Sequence, residues 1–94
     1  MQGCEIVDAP RVDGDVVLLR VLDKDTGRVF TCHMQGFGHV VVEPMMGTGI
    51  NIPPPTAEER TRVAEFARAY AEERDGHFEG LFSQLPHRKD WAEH

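Results

Sequence analysis

The hydrophobic pattern of the chain changes once, near Pro53-Pro54-Pro55. Before the prolines, β-branched and leucine-rich runs are separated by turn residues. After them, apolar residues recur at helical spacing. The segment Asp15 to Leu22 (DVVLLRVL) predicts a well-buried strand. Asp23-Lys24-Asp25-Thr26-Gly27 predicts a turn in which Gly27 takes positive φ. Arg28 to Met34 alternates as a second strand, Gly36-Phe37-Gly38 makes a second turn, and His39 to Glu43 a third strand. Cys4 to Asp8 adds an edge strand, with Pro10 marking its end.

Burial selects a register. A four-residue first loop, Lys24 to Gly27, pairs Asp23 with Arg28, Val21 with Phe30, Leu19 with Cys32 and Val17 with Met34. A three-residue second loop, Gly36 to Gly38, puts Gly38 in the left-handed position of a bulge turn. It pairs Met34 with Val40 and Cys32 with Val42. Apolar residues then face apolar residues across one side of the sheet. A slip of one residue exchanges the two faces, so a single register buries that set.

The helical half opens on Thr56-Ala57-Glu58-Glu59, a capping box. Val63, Phe66, Ala67, Tyr70 and Ala71 lie on one face of the helix that follows. Glu58 and Glu59 suit its positive end, Arg68 and Arg74 its negative end, and Gly76 a C-cap. This helix is expected to cover the Val17/Leu19/Phe30/Met34 face. A second short amphipathic stretch places Phe78, Leu81, Phe82 and Leu85 at i, i+3, i+4 and i+7, and Pro86 ends it. The fold class predicted is α+β: an antiparallel meander of three or four strands, one long helix and a short C-terminal helix. A chain of 94 residues holds one such domain. Its sheet spans about 4–43, its loop 44–55, its helix about 57–75 and its C-terminal segment 77–94.

The opposite sheet face is the unresolved one. It carries Val16, Leu18, Arg20, Leu22, Val29, Thr31, His33, Val41 and Glu43. A face open to water would alternate to polar residues, and this one holds five aliphatics, Val16, Leu18, Leu22, Val29 and Val41. A contiguous apolar patch is rarely left bare. Its cover is expected to be either the C-terminal segment or another chain. A two-fold homodimer through those five residues is the simplest solution, with Arg20 and Glu43 pairing at its rim.

Charge and cysteines narrow the partners. The formal net charge is -6, which opposes a phosphate-binding surface, so no nucleic-acid partner is expected. No apolar run approaches membrane-spanning length and no secretory leader pattern opens the sequence. Cys4 and Cys32 are expected as free thiols in a reducing cytoplasm.

Candidate chemistry is sparse, and no cofactor or catalytic residue is expected. His33, His39 and Glu43 share the second face in this register and form the one candidate metal set. Cys32 adjoins His33, but strand neighbours point to opposite faces and form no nucleophile–base pair. Ser83 stands in no nucleophile elbow. Gly47-Thr48-Gly49 lacks the Lys-Ser/Thr of a phosphate loop. The tail to Trp91 reads either as a segment folded back on the domain or as an anchor for a partner's groove. The function expected is a non-enzymatic protein-interaction domain, homodimeric and acidic enough to modulate a basic partner. The alternative is a small-ligand or metal-binding protein using His33, His39 and Glu43.

Overall fold

The computed structural model describes residues 3–45 and 52–86. Four antiparallel strands form one sheet in the order β1-β2-β3-β4: β1 (Cys4–Asp13), β2 (Val16–Asp23), β3 (Arg28–Gly36) and β4 (His39–Pro44). Two helices follow, α1 (Ala57–Glu73) and α2 (Asp75–Phe82). The fold is thus the α+β meander with a long and a short helix.

The central hairpin follows from burial parity. Val17 pairs with Met34, Leu19 with Cys32, Val21 with Phe30 and Asp23 with Arg28. All six of those apolar side chains are fully enclosed. The connecting loop runs Lys24 to Gly27. It closes through the Gly27 amide, which donates to the Asp23 carbonyl at 2.7 Å. Gly27 adopts a φ of 77°, where a Cβ would be strained.

Two turns differ from the sequence expectation. The β3–β4 loop is Phe37-Gly38, closed by the pair Gly36↔His39. The extra residue is absorbed by a register shift between Met34 and Gly36, so Met34 still meets Val40 and Cys32 still meets Val42. Gly38 is not left-handed; among the described residues the positive φ values fall at Gly14 and Gly27. Strand β1 also does not stop at Pro10. It continues to Asp13 and turns back through Gly14-Asp15, with Gly14 at φ 64°. Proline is tolerated there because β1 is an edge strand and Pro10 lies within a register shift between Asp8 and Arg11.

Helix α1 starts as the capping box dictates. The Glu59 amide donates to Thr56 Oγ1 at 3.1 Å, and the Thr56 amide donates to Glu59 Oε1 at 2.9 Å. Val63, Ala67 and Ala71 are enclosed at four-residue steps, and the two alanines let the helix lie close to the sheet. The helix ends at Arg74 rather than at Gly76, which lies inside α2. Arg74 caps that end itself: Nη1 donates to the Tyr70 carbonyl at 3.2 Å while the guanidinium lies over the Tyr70 ring.

The break at Arg74 redirects α2. Phe78, Phe82 and Leu85 join Val17, Leu19, Phe30 and Met34 in one core. Phe82 meets Phe37 edge-on with centroids 5.1 Å apart, and Phe78 meets Tyr70 at 6.1 Å. Both helices therefore pack on the same side of the sheet. Of the two covers expected for the opposite face, the segment from Phe78 to Leu85 is excluded, because its apolar side is spent on the first face. Trp91 and Gly47-Thr48-Gly49 lie outside the described residues.

Candidate functional site

The sheet face turned away from the helices is the candidate site. Its residues fall into rows across the strands. One row reads Arg11, Leu18, His33 and Val41. The next reads Asp8, Arg20, Thr31 and Glu43. A third reads Glu5, Leu22 and Val29, and the Met45 amide extends it by donating to the Val29 carbonyl at 3.1 Å. Val16 sits beyond the first row, opposite Asp13.

This geometry corrects the expectation of one continuous patch. Val16, Leu18 and Val41 lie on one side of the polar row, and Leu22 and Val29 on the other. Leu18 and Leu22 are about 13 Å apart along β2. The aliphatics also differ in exposure. Leu18, flanked across the strands by Arg11 and His33, is only 8 % exposed; Val41 on the edge strand is 40 % exposed. Long polar stems shelter the middle of such a face while their heads stay wet.

The polar row is bonded within itself and to the row of His33. Arg20 Nη1 donates to Asp8 Oδ2 at 3.0 Å, and His33 Nε2 lies 3.4 Å from Glu43 Oε1. The structure thus brings together two of the three metal candidates. His39 lies on the same face by strand alternation, two residues before Val41, but it does not complete the set. Among the described residues no three His, Cys, Asp or Glu side chains gather as a metal site needs. Arg11, Asp8 and Glu5 were not expected on this face. Arg11 lies past Pro10, which reads as the end of β1, and Asp8 reaches this face through the register shift between Ile6 and Asp8.

The perturbed titratable groups lie elsewhere, around the β2–β3 turn and α1. Burial alone raises a carboxylate's pKa, and Asp23 is 0 % exposed. The Arg62 guanidinium and the Asp25 amide bind it and more than offset that, so its pKa falls below the usual value. Glu59, 2 % exposed, follows the same logic: burial raises it, but the Thr56 amide, the Thr26 hydroxyl and the Arg28 charge at 2.8 Å pull it lower. Among the described residues every buried side-chain nitrogen and oxygen has a hydrogen-bond partner.

The thiols are held neutral. Burial pushes Cys32 up to about 12 and also raises Cys4. Neither is poised as a nucleophile, and Cys32 faces the core while His33 faces outward. No helix among the described residues is long and apolar enough to cross a membrane. Comparison with protein-family models, curated proteins and solved structures gave no match.

Proposed function

We propose that this chain is a non-enzymatic protein-interaction domain that pairs with a second copy of itself through the outer sheet face. The observation that carries the reading is the placement of both helices on one side. The other side of the four-stranded sheet carries Val16, Leu18, Leu22, Val29 and Val41, and no helix among the described residues packs on it.

The rows are self-complementary about a two-fold axis running along β3. Such an axis sets Leu18 opposite Val41 of the second copy, Arg20 opposite Glu43, and Val29 and Thr31 opposite themselves. Arg20 engages Asp8 through Nη1, and the rest of its fork is available to a carboxylate. The polar residues of β1 then form the rim.

Light scattering and sedimentation test this. The parent chain is expected to be dimeric at high micromolar concentration and Leu18→Glu monomeric. Arg20→Glu and Glu43→Arg each weaken the dimer, and the double swap restores it. A monomeric parent, or a swap that restores nothing, overturns the reading.

A further inference from the structure

On the helix side of the sheet, α1 stands away from the first half of β1 and leaves an open groove. Two adjoining hollows of about 850 and 430 Å³ form it, and both are lined by Cys4, Phe66 and Ala69. The groove follows α1 from Ala57 to Arg74, about 25 Å at 1.5 Å per residue.

Its floor carries an apolar strip among polar groups. Cys4 and Ile6 contribute from β1, and Phe66 and Tyr70 from α1, the last three only partly buried. Ala69 is small and exposed, so another chain can approach α1 closely at that point.

Its rim is acidic in effect. The two arginines at the groove are already engaged. Arg62 holds Asp23 and Asp25, and Arg74 holds Glu73 and the Tyr70 carbonyl. Glu58 and Glu65 are exposed, and among the described residues neither has an ion-pair or hydrogen-bond partner through its carboxylate. They stand one turn to either side of Arg62, at i−4 and i+3, on the same flank of α1. An apolar strip beside unpaired carboxylates matches a segment that is apolar on one side and cationic on the other.

We propose that this groove docks a basic amphipathic helix of a partner protein. The apolar side of that helix covers Phe66, Ala69 and Tyr70, and its Lys or Arg residues reach Glu58 and Glu65. The site lies on the opposite side of the sheet from the self-association face, so it is independent of the dimer and its failure leaves that reading standing.

The probe is a helical peptide of about 16 residues, matched to the groove length, with Leu at i, i+3, i+4 and i+7 and Lys elsewhere. Its control replaces each Lys by Glu. Titration into the isotope-labelled full chain is followed by amide shifts. The Lys peptide is expected to bind and to move Cys4, Phe66, Ala69 and Tyr70; the Glu peptide is not. The double variant Glu58→Gln/Glu65→Gln weakens binding about tenfold, as loss of two charge contacts should. Ala69→Arg, at an exposed helix position, abolishes binding while the melting temperature stays put. Equal binding of both peptides, shifts centred on Leu18 and Val41, or a double variant that binds like the parent overturns the proposal. So do groove shifts that appear on concentration without peptide, which would make a second copy the occupant.

Discussion

Arg62 grips Asp23 from 39 positions away, with Nη2 to Oδ2 at 2.7 Å and Nε to Oδ1 at 3.2 Å. The carboxylate is fully enclosed, while the Arg62 side chain is 30 % exposed. The same carboxylate accepts the Asp25 amide at 3.0 Å, so one buried charge ties α1 to the β2–β3 turn. Arg62→Met removes the one guanidinium that the described residues place on it. The expected loss is roughly 2–3 kcal/mol, below the 3–5 of a wholly buried pair because Arg62 reaches solvent. Denaturant unfolding of the variant measures it, and a midpoint equal to the parent's would show that the pair contributes nothing.

Acid stability follows from the same two carboxylates. Asp23 and Glu59 have pKa values below their ordinary 3.8 and 4.5. The stability they confer is complete above those ordinary values and is lost as pH falls through the lowered ones. Melting temperature is therefore expected to be flat near neutrality and to drop below about pH 4.5. The slope of that drop should be shallower in Glu59→Gln.

The helix cap separates two contributions. Thr56→Ala leaves the Glu59 amide unsatisfied and is expected to cost about 1 kcal/mol. Glu59→Ala costs more, about 2–3 kcal/mol, because it frees the Thr56 amide and also takes from the Arg28 guanidinium its carboxylate partner at 2.8 Å, leaving it the Pro53 carbonyl. Chemical denaturation that ranks the two in the reverse order would place the helix start elsewhere.

In the core, Phe30→Ala is expected to cost about 3–5 kcal/mol. Phe30 is fully enclosed between sheet and helices, and Arg28 lies over its ring at 4.9 Å. That is a large share of a small domain's stability. A melting temperature within a few degrees of the parent would contradict the packing.

The buried thiol gives an alkaline counterpart. Cys32 is raised from 9.0 to about 12. Its contribution is complete below 9.0 and is lost as pH rises towards 12, because the unfolded chain ionises first. A thiol reagent at pH 8 should leave Cys32 unmodified in the native protein and modify it on unfolding. Rapid native labelling would show that the core admits the reagent.

The central hairpin and the capping box were legible in the sequence because their determinants are local. Parity of burial left one register for Val17, Leu19 and Val21 against Met34, Cys32 and Phe30. Thr56 and Glu59 are three residues apart and cap each other. The ties of Asp23 to Arg62 and of Arg28 to Glu59 were not legible, since partners 39 and 31 positions apart leave no periodic trace. Pro10 misled for a physical reason. A proline forbids a central strand, but an irregular edge strand absorbs it. The outer face was legible as a set of residues but not as rows. Alternation tells which side a residue takes, while the cross-strand register tells what stands between Leu18 and Leu22.

That irregular edge strand also governs how the sheet meets others of its kind. Between Ile6 and Arg11 the pairing of β1 shifts twice, and Pro10 offers no amide there. The opposite border, β4, has six residues and ends in Pro44. Neither border presents a long straight row of backbone groups, so sideways growth into ribbons or fibrils finds no template at either end. Crowding the protein should give closed particles of fixed size, and a β1 straightened by deleting Ala9 and Pro10 should be the form that goes on to polymerise.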